Sequence, residues 1–292
     1  MDIFRQIGDA RITLFNIGDF QADLVDWLRL SAKDWPPDYH HFFVKPIAVP
    51  TQCALIQVEE ASILVDAPLY DLPPGSSMSL PNYQPPDDLL TQLAATGVSI
   101  ETITHVIITH LHFDHYGGLA IRTDKRNVPA FPNARHYISR ADWEQPSFQR
   151  ALRRKNSPDS LTLGVIEAAG LIELVEGQKE IAPGMSILPA PGETPGHQLA
   201  RVESEGQVLY CLGDLYHHIV EVEHPYWMAH WCDNESLISA RSTLVAAALV
   251  DDALLMATHI PGLGRLAATE NGISWESIYL AEETTFNSTT NP

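Results

Sequence analysis

Cysteine is scarce in this chain. Cys53, Cys211 and Cys232 are spread over 292 residues, and no pair has the spacing of a disulfide framework or a thiolate zinc site. Positive charge is scarce too: 18 Lys and Arg stand against 37 Asp and Glu, for a formal net charge of −19. A phosphate backbone repels such a surface, so nucleic acid is not expected as a partner. Long apolar runs are also missing. The longest apolar region, Leu244 to Ala257, is broken by Asp251 and Asp252 and is too short to cross a bilayer. The opening residues, MDIFRQIGDARITLF, lack a basic segment followed by an apolar one, so no signal peptide is expected. These absences together predict a cytoplasmic, reduced protein that binds no membrane.

The composition that remains, 45% hydrophobic and 19% charged, is that of a globular domain able to bury a sizeable core. No internal linker interrupts it, so one domain over residues 1–292 is expected. Residues 10–17 alternate as an opening strand, but 19–50 carry Trp27, Trp35, Phe42 and Phe43 with little period. About the first 50 residues therefore read as an irregular extension whose aromatics must pack on something, a second copy of the chain included. Thr51 to Val58 and Ala61 to Ala67 form a hairpin about Glu59-Glu60. Residues 68–86 hold six prolines and read as a long loop. Asp87 to Ala95 is a short helix stopped by Gly97. Further on, apolar strands end one after another in a tight turn followed by His or Asp: PAPGETPGHQ reaches His197, CLGD reaches Asp214, and MATH reaches His259. Strands in hairpins with helices between them predict an α/β layered domain, sheets inside and helices outside.

The densest chemistry lies in residues 104–118, THVIITHLHFDHYGG. A β-branched run, Val106 to Thr109, leads into His110, His112, Asp114 and His115, and Gly117-Gly118 follows. A helix of 3.6 residues per turn scatters that spacing over several faces, whereas a tight loop leaving a strand can turn all four groups inward. Imidazole and carboxylate suit zinc, with iron or manganese as other ions for such donors. Four donors in six residues exceed what one ion takes from one loop, so two metal ions are expected.

HLHFDH, TPGH, LGD and ATH, in that order, resemble the metallo-β-lactamase superfamily over roughly residues 50–265. The resemblance implies a four-layer αβ/βα sandwich. It assigns His110, His112 and His197 to a first divalent metal, Asp114, His115 and His259 to a second, and Asp214 to both. It also implies hydrolysis by a metal-bridging hydroxide, with Asp114 orienting the nucleophile. Within the superfamily the chain is most similar to N-acyl homoserine lactonases and methyl parathion hydrolase relatives. The lactonases carry a Tyr three residues after the bridging Asp. Here GDLYHH puts Tyr216 two residues after it and His217 three after, so Tyr216 and His217 are the candidates for supporting a carbonyl oxygen. Phe113, Tyr116, Trp227 and Trp231, near the ligand loops, favour a small substrate with an apolar part. The expected function is hydrolysis of a neutral ester or lactone. Phosphotriesterase-like or glyoxalase II-like thioester hydrolysis, or a non-hydrolytic metal protein of the same fold, are the alternatives. The acidic C-terminal tail argues against the thioester. Cys211, His105 and His136 read as packing residues.

Overall fold

Period-two alternation decides which way each strand faces. Along Ile47–Val58, Ala54, Ile56 and Val58 point to one side and Cys53 and Leu55 to the other. The computed structural model describes residues 3–35, 37–58, 61–73, 75–270 and 272–278. It contains two seven-stranded sheets packed face to face. The first runs Ile3–Ile7, Ala10–Ala22, Ile47–Val58, Ala61–Val65, His105–Ile107, Arg135–Ser139 and Ile172–Val175 from edge to edge. The second runs Lys179–Ala182, Met185–Pro189, Gln198–Ser204, Gln207–Cys211, Leu254–Met256, Leu263–Thr269 and Gly272–Ile278.

Ala54, Ile56 and Ile107 of the first sheet meet Ile187, Val202, Leu209 and Cys211 of the second in a buried core between the sheets. The opposite face of the first sheet, with Cys53, Leu55 and Val106, is covered by Leu89 and Leu93 of helix Leu89–Ala95 and by Leu163 and Ile166 of Leu163–Ala168. On the second sheet, helix Asn234–Val250 lays Leu237, Leu244 and Ala248 over Leu199, Tyr210 and Leu255. Each large apolar side chain buried in these layers contributes about 1.5–3 kcal/mol. The result is the four-layer αβ/βα sandwich. Among the described residues no helix is long and apolar enough to cross a membrane.

The N-terminal region differs from its sequence reading. Ile3–Ile7 and Ala10–Ala22 are full members of the first sheet, and irregular chain is confined to the stretch between Ala22 and Ile47. The opening strand continues past residue 17 through a bulge between Asn16 and Asp19, where Asn16 accepts from the Gly18 amide and donates to Asp19. The C-terminal region holds another pair, Leu263–Thr269 with Gly272–Ile278, and the second of these strands lies in residues otherwise read as an acidic tail. The Glu59-Glu60 turn and the tail beyond residue 278 lie outside the described residues, although Val58 and Ala61 pair as a hairpin requires.

Ala61–Val65, His105–Ile107, Arg135–Ser139 and Ile172–Val175 run parallel, so their C-terminal ends share one edge. Gln207–Cys211 and Leu254–Met256 are parallel to each other in the second sheet. Loops at such carboxyl edges are where open α/β sheets hold their ligands.

Candidate metal centre

The His110 loop begins where strand His105–Ile107 stops. Thr109 turns out of the ladder because Asp66, at the end of the neighbouring strand, accepts from its amide (2.8 Å) and its hydroxyl (2.9 Å). One helical turn, Phe113–Tyr116, then carries Asp114 and His115, and Gly117 ends it. The loop is pinned across the sheets as well: the Gln198 amide donates to the Thr109 carbonyl, and Gln198 Nε2 donates to the Ile108 carbonyl.

The second half of the chain supplies the rest. Asp142 accepts from the Gly196 amide and the Thr194 hydroxyl, each at 2.6 Å, and so shapes the turn before His197. Gly213, at φ 53°, admits no side chain, since a Cβ there would meet Thr109 and His197 Nε2 within 2.8 Å. That close approach lets Asp214 reach the loop of the other sheet. His259 is held by the Pro50 carbonyl, 2.7 Å from its Nδ1, while Gln52 Nε2 donates to the Ala257 and Ile260 carbonyls on either side.

Asp214 Oδ2 lies at the middle of these groups. It stands 3.3 Å from His115 Nε2 and from His259 Nε2, 3.6 Å from His217 Nε2 and 3.8 Å from His110 Nε2. Asp114 Oδ2 is 3.5 Å from His259 Nε2 and 3.8 Å from His115 Nε2. Two sets of donor atoms converge within 4.8 Å: His110, His112, Glu193 and Asp214 form one, and Asp114, His115 and His259 the other. His197 stands beside the first set, its Nδ1 3.0 Å from the Ala190 carbonyl and its Nε2 accepting from the Asp214 amide at 3.1 Å.

Two buried polar atoms facing the centre, His115 Nε2 and Asp214 Oδ1, lack hydrogen-bond partners among the described residues. Such atoms destabilise a fold unless something pairs with them. Divalent cations between these nitrogens and carboxylate oxygens satisfy that need, and the donors are of the type zinc and similar ions take. The charges agree. Burial disfavours an ionised Asp214, yet His259 and His115 hold its carboxyl well below the usual range. Burial lowers the affinity of His259 for a proton, but Asp214 and Asp114 bring it up to about 9.

His217 joins the centre, but Tyr216 does not join it in the same way. The Tyr216 ring packs under the Arg241 guanidinium, 4.5 Å from its centroid, within the apolar cluster between the second sheet and its helix. His217 is held by Glu221, whose Oε2 accepts from the amides of His217 (2.5 Å) and His218 (3.1 Å). Arg241, fully buried, donates to Glu221 Oε1 at 3.1 Å and to the Leu215 and Trp227 carbonyls. Burial raises the Glu221 carboxyl and Arg241 lowers it, to a net value of about 2.

Several contributors carry no signal in the sequence. Asp66 reads only as a strand end, yet it orients His115. Glu193 lies in a Pro/Gly loop and is buried beside His112. Trp27, from the irregular segment, places its ring 5.7 Å from those of His217 and Trp231, and Phe20 lies edge-on to His259 at 5.1 Å. Cys211 is a buried thiol of the inter-sheet core, its acidity suppressed by burial and by Asp66. His105 stacks on Tyr137 at 5.7 Å, and His136 is fully buried in its strand.

Known proteins share parts of this sequence and its fold. Over 174 residues the chain is 29% identical to an N-acyl homoserine lactonase of Bacillus cereus, a stretch that covers 56% of this chain and 62% of that protein. It is 25% identical over 212 residues to a probable metallo-hydrolase of Mycobacterium tuberculosis, covering 64% and 65%. In both, the match spans less than two thirds of the relative's length. Among solved structures, the dizinc quorum-quenching lactonase AidC, in complex with a product, superposes with a TM-score of 0.75 at 21% identity, over 95% of this chain and 99% of that one. AbOPH, a hydrolase of the beta lactamase superfamily, gives 0.74 at 21% identity, over 96% and 98%. Both share the sandwich. Residues 46–259, which carry every donor named above, match the family directly, and the chain belongs to the metallo-beta-lactamase superfamily.

Proposed function

We propose that this chain is a dinuclear metal-dependent hydrolase that attacks the carbonyl of a neutral lactone or ester, with N-acyl homoserine lactones as the substrate class. The observation that carries this reading is the position of Asp214 Oδ2, one oxygen shared between His110 on one side and His115 and His259 on the other. The similarity to N-acyl homoserine lactonases supports the choice of lactone. Two divalent ions, zinc or in its place iron or manganese, supply when bound a hydroxide nucleophile at neutral pH and positive charge for the carbonyl oxygen. His110, His112, His197 and Asp214 are the proposed holders of the first ion, and Asp114, His115, His259 and Asp214 of the second.

The remaining work falls to the chain's own side chains. Asp114, with about two fifths of its side chain exposed (41%), stands on the open side of the centre, where its free oxygen can accept a proton from an attacking water. His217 occupies the position of the lactonase Tyr, and its Nε2–H is the proposed donor to the carbonyl oxygen. Tyr216 acts through packing, by holding Arg241 and through it the Glu221 clamp on His217. Trp27 and Trp231 wall the site with apolar surface. Arg241 is committed to Glu221, which leaves it no role in recognising a phosphate monoester.

The test is kcat/KM for an acyl homoserine lactone, an aryl ester, a phosphotriester, a thioester and an aryl phosphate monoester, at one pH and one salt concentration. The lactone or ester should lead. A monoester ahead by an order of magnitude, about 1.4 kcal/mol of transition-state preference, overturns the neutral-carbonyl reading. A leading phosphotriester or thioester overturns the lactone assignment. Metal analysis should approach two equivalents per chain, and one equivalent with full activity sinks the two-ion mechanism.

The acidic surface supports the absence of nucleic-acid partners. For a homodimer the support is thinner, because the aromatics of the 27–43 segment find partners within the chain: Trp35 stacks on Phe43, Phe43 meets Trp227, and Phe42 meets His218. The exposed Tyr226 and Val44 remain as apolar surface for a second copy. Light scattering of the full chain at the monomer mass ends that idea.

A further inference from the structure

Glu193 lies in the loop that leads to His197, and only 4% of its surface is exposed. A carboxylate offers about four acceptor sites, two on each oxygen. Neutral donors take one on each: Trp231 Nε1–H on Oε1 at 2.7 Å, and the Cys232 thiol on Oε2 at 2.8 Å. The sites left over face inward. Oε1 is 3.2 Å from His112 Nδ1 and Oε2 is 3.5 Å from His217 Nε2. His112 Nδ1 is itself 2.9 Å from His110 Nε2.

Two ring nitrogens and a carboxylate oxygen thus crowd one point. His112 Nδ1 stands 2.9 Å from the other ring nitrogen and 3.2 Å from the carboxylate oxygen, near the roughly 3.3 Å between ligands that lie about 2.0–2.2 Å from one ion. A buried carboxylate with only neutral donors behind it needs a positive charge in front, from an ion or from protons on the facing imidazoles of His112 and His217. We propose that Glu193 is an added oxygen ligand of the first metal position, sharing an ion with His110, His112, His197 and Asp214. This rests on the two-ion reading above and extends it.

The consequence concerns which ion the position prefers. An added carboxylate makes the donor set harder than imidazoles with Asp214 alone, and harder donors favour manganese and iron relative to zinc. Relative affinity for Mn²⁺ and Zn²⁺ at this position therefore depends on Glu193. Trp231 and Cys232 act from behind by fixing the carboxylate's direction, as outer partners of metal ligands do.

The experiment uses the full chain, stripped with a chelator and reloaded. Zn²⁺ and Mn²⁺ affinities are measured by chelator competition, and Co²⁺ is added separately for its visible spectrum. Glu193→Gln keeps the size of the side chain and removes its charge. It should weaken one of the two equivalents more than tenfold, cost Mn²⁺ more than Zn²⁺, and change the Co²⁺ band intensities. A folded E193Q chain with both affinities within twofold of wild type and an unchanged Co²⁺ spectrum overturns the proposal, and leaves Glu193 as an acceptor for Trp231 and Cys232. Should E193Q fail to fold, E193H carries the test. A nitrogen in place of the oxygen should retain Zn²⁺ within tenfold and cost Mn²⁺ more than tenfold, and an unchanged Mn²⁺ affinity overturns the assignment. If the wild-type chain binds a single equivalent, the two-ion reading fails on its own. Glu193 is then judged by whether E193Q weakens that one equivalent more than tenfold.

Discussion

Asp66 Oδ2 lies 2.9 Å from His115 Nδ1, and both side chains are buried. The contact fixes the direction of the ring: Nδ1–H donates to the carboxylate, so Nε2 is turned toward Asp214 and the second metal position. Asp66 does this from a left-handed backbone, φ 62°, at the end of strand Ala61–Val65, and its amide still bonds the Ile107 carbonyl. A residue outside both donor sets therefore decides how one of them is presented.

Asp66→Asn tests this directly. Asn tolerates the left-handed backbone and can keep the bond from the Thr109 amide, so the fold should survive. Removing the charge behind His115 should weaken the second metal by about 10–100-fold. Chelator competition gives the affinity and circular dichroism the fold. Unchanged affinity means that His115 is oriented by packing alone.

Asp214→Ala should abolish hydrolysis and lower the metal content, because one oxygen serves both donor sets. His105→Ala should leave the metal content intact, since that ring stacks on Tyr137 and bonds Thr104 away from the centre. Metal analysis of the two purified variants side by side checks the division. Equal losses would show that it is drawn in the wrong place.

His136 makes acid sensitivity measurable. Its ring is fully buried, and burial outweighs the backbone contacts at Ala134 and Leu171 and lowers its pKa to about 4. An unfolded His titrates near 6.5, so between about pH 6.5 and 4 the unfolded chain binds the extra proton. Stability is complete above that window and falls as pH drops through it, by about 3 kcal/mol across its width from this one group. Denaturant titrations of wild type and His136→Leu from pH 7 to 4 should show a shallower decline in the variant. Parallel declines rule His136 out as a source.

Trp27→Ala removes a wall of the site without touching a donor. The ring contacts to His217 and Trp231 are each of a kind worth about 0.5–1.5 kcal/mol. We expect kcat/KM for a long-chain acyl lactone to fall about tenfold, and for a short-chain one by less. Equal effects on both chain lengths would place Trp27 outside the acyl path.

The His110 loop is legible in the sequence because its donors are dense and follow a β-branched run, a combination with few other uses. The layers are legible because the strands alternate and the helices carry their own stop signals. Other features depend on contacts that no local pattern encodes. Glu193 is an ordinary glutamate in a Pro/Gly loop until Trp231, 38 residues on, closes over it. The opening strand reads as ending at residue 17 because Asn16 to Asp19 has the composition of a turn. In the fold those residues make a bulge, and the strand runs on to Ala22 against Ile47. Trp27 is uninterpretable alone, since its partners His217 and Trp231 belong to the far end of the chain.

His110, His112, Asp114 and His115 leave the first sheet, and Asp214 and His259 leave the second. Neither half of the chain can assemble a complete centre by itself. The complete donor set therefore exists only once the two sheets have docked, and an ion held between them would cross-link the halves. In a preparation of this protein an ion bound by the full donor set thus marks a chain whose two sheets have docked.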